Sequence, residues 1–149
     1  MKTENAAPAN PLIGTWQMLD WYNVTQDGQK HYPLGPNATG YISYSADGYV
    51  FVHLMAADRQ LYETNDPFGG STTEDTTALK SQITYAGPYT YHGDKVIHHV
   101  THSSFPNWVG TDQVRNINFD DDKLILSIGG AMFQGKVVTA SVIWKRARS

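Results

Sequence analysis

Gly40-Tyr41-Ile42-Ser43-Tyr44-Ser45, then Ala46-Asp47-Gly48, then Tyr49-Val50-Phe51-Val52-His53-Leu54-Met55-Ala56-Ala57 is the stretch that decides the fold. β-Branched and aromatic residues fill both arms, and such side chains suit a pleated, half-buried strand. Asp-Gly between two such arms is the strongest short-range hairpin signal. Residues 40–45 and 49–57 therefore read as two antiparallel strands joined by a tight turn.

The same grammar repeats outward from this hairpin. Residues 83–91 and 95–104 flank His92-Gly93-Asp94, and residues 111–119 and 123–128 flank Asp120-Asp121-Asp122. Residues 12–24 form a first run and residues 30–33 a short one. Residues 137–146 close the chain after Gly129-Gly130. One segment differs: Ser71 and Thr72 precede Glu74 and Asp75 in the manner of a capping box, which predicts a helix over 72–82 with Ala78 and Leu79 on its apolar side. About nine strands, mostly joined by hairpins and without βαβ alternation, predict an all-β fold. The expected form is an antiparallel up-and-down β-barrel of about 8–10 strands with one short helix. Closure removes the exposed edges that such a sheet would otherwise carry.

The 149 residues suit one domain over 11–149, preceded by a flexible arm over 1–10. Apolar residues make up 40% and charged residues 17%, which excludes a disordered or coiled-coil chain. A net charge of −3, with Lys145, Arg146 and Arg148 as the one basic cluster, argues against nucleic acid as a partner. No apolar stretch approaches a membrane span. There is no cysteine, hence neither disulfide nor thiolate chemistry. The arm contains no apolar signal-peptide core, so a soluble cytoplasmic protein is expected. Nine Tyr and four Trp favour strands and also line pockets for organic ligands.

An ordered set of short motifs resembles the small lipocalin-like (calycin) domains of bacteria and fungi. It comprises Leu12-Ile13-Gly14-Thr15-Trp16, Tyr32-Pro33-Leu34-Gly35, Gly40-Tyr41-Ile42 with Ala46-Asp47-Gly48-Tyr49, Tyr85-Ala86-Gly87, His98-His99-Val100, and Pro106-Asn107-Trp108-Val109-Gly110 with Gln113 and Arg115. The resemblance implies an up-and-down barrel with a ligand cavity. It implies no single activity, since the fold hosts carriers, isomerases, cyclases and lyases alike. It also implies an arginine packed across the Gly-x-Trp tryptophan, Trp16, at the barrel base. Arg115 and Arg146 are the two candidates.

Strand side chains alternate faces, so parity selects the cavity lining. A tight Asp47-Gly48 turn puts Ile42 and Tyr44 on the face of Phe51, His53 and Met55. A two-residue Gly93-Asp94 turn puts Tyr85 and Tyr89 with Val96, His98, Val100 and His102; a three-residue turn would choose His99 instead. The two valines favour the first. Gln113 and Arg115 share a face with Ile117 and Phe119, and Val138, Ala140, Val142 and Trp144 go together. Trp108 lies in a loop that suits a lid over the mouth, as does the loop of Asp66-Pro67-Phe68-Gly69-Gly70.

The expected interior is thus an apolar cup with polar groups, which cost free energy to bury unless they meet a partner. His98 and His102 are four residues apart, about 13 Å along a strand, too far for one metal ion. No metal, cofactor, nucleophile elbow or dinucleotide fingerprint is expected. The leading expectation is a cofactor-free isomerase, cyclase or lyase of secondary metabolism acting on an oxygenated, mostly apolar molecule. His98 would move a proton, Tyr85 or Tyr44 would hold an oxygen and Arg115 would stabilise negative charge. Tyr44, Phe51, His53, Tyr89, His102, Trp108, Gln113 and Trp144 would contact the ligand. The rivals are a non-catalytic intracellular carrier or sensor with the same cavity, and a solidly packed oligomeric module, for instance a homodimer.

Overall fold

The computed structural model describes residues 9–148. Its strands are β1 (Gly14–Thr25), β2 (Lys30–His31), β3 (Thr39–Tyr44), β4 (Tyr49–Met55), β5 (Gln82–Tyr91), β6 (Lys95–His99), β7 (His102–Ser103), β8 (Asp112–Asp120), β9 (Lys123–Phe133) and β10 (Lys136–Arg146). Among the described residues one α-helix, α1 (Thr72–Lys80), precedes β5. Eight strands run in the order β1-β3-β4-β5-β6-β8-β9-β10, and β10 pairs antiparallel with β1 to close the barrel. The two-residue β2 and β7 attach to β1 and β5. The all-β antiparallel barrel expected from the hairpins is the fold observed.

The helix is capped as its sequence requires. The Glu74 amide donates to Ser71 Oγ at 3.1 Å, and the Ser71 amide donates to Glu74 Oε1 at 2.9 Å. It ends at Lys80 rather than Gln82, because Gln82 already pairs with Met55 in the sheet. The expected apolar side finds no core: none of its residues is buried.

Of the expected arm over 1–10, residues 1–8 lie outside the described residues. Asn10 is tied to the barrel, accepting from the Leu12 amide and donating to the Tyr89 hydroxyl at 3.1 Å.

Two glycines expected to end a strand instead bend one. Residues 129 and 130 of β9 lie opposite Thr139 alone, between the pairs Ile128–Ala140 and Ala131–Val138. This is a β-bulge, and Gly130 takes the positive φ of +76° that one of its two residues needs. β9 then runs on to Phe133, and Gln134 and Gly135, both at positive φ, turn the chain into β10.

One end of the barrel is plugged. Trp16 is buried, and its Nε1 donates to the Leu12 carbonyl at 2.9 Å. The Arg146 guanidinium stacks 3.9 Å from the centre of the Trp16 ring and donates to the carbonyls of Ile13 and Pro11 at 2.7 Å each. Arg146 is therefore the structural arginine, and Arg115 is not. Gly14 sits at φ +121°, and a Cβ there would lie 2.8 Å from Arg146 Nη1. Gly14→Ala is expected to destabilise the protein by about 1–3 kcal/mol through backbone strain and loss of this stack. Urea unfolding checks this; an unchanged midpoint would contradict the role given to the plug.

Candidate functional site

Above the plug the barrel is hollow. A cavity of about 610 Å³ is lined by Trp21, Ile42, Val52, Leu54 and Tyr85 on one side and by Arg115, Leu126, Val142 and Trp144 on the other. The loops at its far end add Pro33, Phe105 and Trp108, and the β9–β10 hairpin adds Met132 and Phe133. Trp108 stands edge-on to both Tyr85 and Phe105, at ring separations of 5.4 and 5.8 Å. The volume lies within the usual range for small-molecule sites.

The turn chemistry decides which side chains enter it. Gly93-Asp94 is a two-residue turn that pairs Tyr89 with His98 and Tyr91 with Val96. Tyr85, Val96, His98 and Val100 therefore face inward. At the β3–β4 hairpin the turn is one residue longer. Ser45 bonds Tyr49 across a three-residue loop whose last residue, Gly48, has φ +97°. Ile42 then pairs with Val52, and Tyr44 with Val50. A one-residue slip reverses a whole strand. Val50, Val52 and Leu54 point in, whereas Phe51, His53 and Met55 are exposed. Phe51 and His53 therefore do not line the cavity.

His102 is a further correction. Tyr89 pairs with His98, but Tyr85 pairs with Ser103. The extra residue leaves both Thr101 and His102 on the outside, where they bond each other at 2.9 Å. His99 also faces out, held at 2.8 Å from both Thr90 Oγ1 and Asp112 Oδ1. Among the described residues, no group of three His, Asp or Glu could hold a metal ion.

Inside, the polar groups form a chain. His98 is buried, with Nε2 2.7 Å from the Tyr44 hydroxyl and Nδ1 2.8 Å from the Tyr85 hydroxyl. Tyr44 also meets the edge of Tyr89 at 4.9 Å, and Tyr89 donates to the Ser45 carbonyl. Tyr44 and Tyr89 thus brace the plugged end and do not line the cavity. Burial raises the pKa of both Tyr44 and Tyr85, so each keeps its proton. Burial, then the nearby Arg115, then His99 lower that of His98 to about 3. The imidazole is neutral, so one ring nitrogen donates and the other accepts.

Arg115 projects from β8 beside this chain. It donates to the Val114 carbonyl at 2.9 Å and reaches Gln113 Oε1 at 3.4 Å. Gln113 in turn donates to Thr111 Oγ1, which donates to the Trp108 carbonyl. The guanidinium is thereby linked to the mouth loop. Among the described residues no carboxylate pairs with Arg115.

Asn23 and Trp21 were not singled out by the sequence. A bulge between Met18 and Asp20 turns them inward, and no residue type in β1 announces it. Asn23 Oδ1 and Trp144 Nε1 are buried without a hydrogen-bond partner among the described residues, an arrangement that costs stability and recurs at functional sites.

The buried neutral His98 has a consequence for stability. Its pKa is near 6.5 when unfolded and about 3 when folded. Between those values the unfolded chain binds a proton that the folded chain does not. Stability therefore falls as the pH drops below about 6.5, with a slope from this residue approaching about 1.4 kcal/mol per pH unit. Urea midpoints measured between about pH 7 and pH 5 check this. His98→Gln, which does not titrate, should flatten the profile.

Comparison with known proteins agrees with the geometry. The lipocalin-like domain family matches residues 13–147. A 4'-hydroxy-3'-methoxypropiophenone carrier protein, ppsC, of Aspergillus oryzae (strain ATCC 42149 / RIB 40) is 32% identical over 82 residues, covering 50% of this chain and 74% of that protein. No solved structure matches the chain. No helix among the described residues is long and apolar enough to cross a membrane. A hollow barrel, a matching family and a relative described as a carrier all support small-molecule binding, and with its match spanning nearly the whole barrel this chain belongs to the lipocalin-like domain family.

Proposed function

We propose that this protein binds and carries a small aromatic molecule bearing oxygen, of the aryl ketone or phenol type, in its barrel. The observation that carries this reading is the charged and polar group on the cavity wall formed by β5 and β8. Arg115, Tyr85 and Gln113 sit in a wall otherwise made mostly of aliphatic and aromatic side chains. An aromatic body would pack against Trp21, Trp108 and Trp144, and its oxygen would meet the guanidinium. The relative's description as a carrier of a hydroxy-methoxy aryl ketone supports the same class.

The alternative is a cofactor-free isomerisation, cyclisation or elimination in secondary metabolism. The Tyr44–His98–Tyr85 chain ending beside Arg115 favours it, because it offers a route for a proton to Tyr85. Two facts favour carriage instead. Both ring nitrogens of His98 are already engaged by tyrosines, and its basicity is far below what a general base at neutral pH needs.

Titration with 4'-hydroxy-3'-methoxypropiophenone, followed by tryptophan fluorescence, tests the proposal. Saturable quenching with recovery of the unaltered compound is expected. Arg115→Met should weaken binding about 10- to 100-fold, the worth of hydrogen bonds to a charged group. Conversion of the compound would favour the enzyme. Absence of binding would overturn the aryl class.

A further inference from the structure

Arg115 is the one charged residue lining the cavity among the described residues. The other titratable groups of the lining are Tyr85 on β5 and His98 on β6. Behind them Tyr44 on β3 completes the set within hydrogen-bond reach. The faces contributed by β1, β4, β9 and β10 carry no Asp, Glu, Lys or His. Asp112, on the same strand as Arg115, is spent on His99 at the outer surface. Among the described residues the cavity wall therefore carries one positive charge, on the half-buried Arg115, and no negative one. An anion in the cavity would pair with that charge.

The hydrogen-bond chain sets a second donor on the wall of the same cavity, within electrostatic reach of Arg115. Tyr44 is buried, and among the described residues His98 Nε2 is the one hydrogen-bond partner of its hydroxyl. A buried hydroxyl donates where it can, so Tyr44 donates and Nε2 accepts. The His98 proton is then on Nδ1 and is donated to the Tyr85 oxygen. Tyr85 is left with its own O–H directed to whatever occupies the cavity it lines. Reversing the chain would instead strand the Tyr44 proton in the core.

From this arrangement we infer that the cavity takes its ligand as an oxyanion, the ionised form of an acidic phenol or enol, with the charged oxygen on Arg115 and the Tyr85 hydroxyl. The inference rests on the aryl-ligand reading and specifies its chemical form. The phenol gives its proton to solvent on entry, and no bond other than O–H is broken. The depressed basicity of His98 has Arg115 among its causes, after burial, so the positive potential of the guanidinium reaches this part of the cavity. A nearby opposite charge typically stabilises an ionised group by about 1–3 pKa units, and the bound phenol should shift by that much.

The test is an absorbance titration of 4'-hydroxy-3'-methoxypropiophenone, whose phenolate absorbs at longer wavelength, with and without a saturating amount of protein. Its methyl ether, 3',4'-dimethoxypropiophenone, serves as the form that cannot ionise. The wild type should lower the phenol's pKa by at least about one unit and bind the ether about 10-fold or more weakly. Arg115→Met should abolish the shift and bring the affinities for the phenol and its ether to within about twofold of each other. Arg115→Lys, which keeps the charge, should retain part of the shift, and serves if the methionine variant does not fold. A bound phenol whose pKa is unchanged or raised would overturn the oxyanion while leaving the carrier standing. Failure of both compounds to bind would overturn the aryl reading and this inference with it.

Discussion

The pairing of β10 with β1 turns a twisted sheet into a tube, and the inside of that tube is where the chemistry lies. The two strands pair from Trp16–Arg146 to Thr25–Val138, and the pairing is anchored at the plugged end. There the Arg146 guanidinium covers Trp16 and holds the carbonyls of Pro11 and Ile13. Those contacts need the backbone to approach within a distance that only Gly14 allows. With one end sealed and the strands closed, alternate side chains reach water only through the mouth. Each polar group placed on an inner position must find a partner there or bear the cost of desolvation.

The inner polar groups answer that requirement unequally. His98 is fully satisfied by two tyrosines, which keeps it neutral and fixes the orientation of its ring. Arg115 is satisfied only by a neighbouring carbonyl and a weakly placed glutamine. Asn23 and Trp144 each keep a buried polar atom without a partner among the described residues. Groups that pack a core are normally satisfied, whereas incomplete satisfaction beside a cavity is characteristic of a site that completes itself with a ligand. The contrast separates the residues that build the barrel from those that address its contents. It also moves the weight from acid–base work by His98 toward recognition by Arg115 and Tyr85.

Much of this was legible in the sequence, and the errors of strand parity have one physical cause. The Asp-Gly and Gly-Asp turns, the capping box at Ser71 and the Gly-x-Trp motif led to the barrel and its helix. Val96 and Val100 correctly placed His98 rather than His99 inside, because the turn at Gly93-Asp94 has two residues. Ala46-Asp47-Gly48 contains a similar dipeptide, yet Gly48 there closes a three-residue loop, and Phe51 and His53 fall on the wrong side. The bulges near Leu19 and Thr101 likewise reverse parity partway along a strand, which hid Asn23 and misplaced His102. Single-residue insertions in a ladder depend on cross-strand contacts, and no local residue type announces them.

The central claim is that Arg115 and Tyr85 form the pole at which the barrel grips an oxygen of its ligand. A crystal structure of the complex with 4'-hydroxy-3'-methoxypropiophenone tests it most directly. The account predicts the ring between Trp21, Trp108 and Trp144, with the phenolic oxygen within about 3 Å of both the guanidinium and the Tyr85 hydroxyl. A ligand lodged outside the barrel, or seated inside with its alkyl end against Arg115, would contradict it.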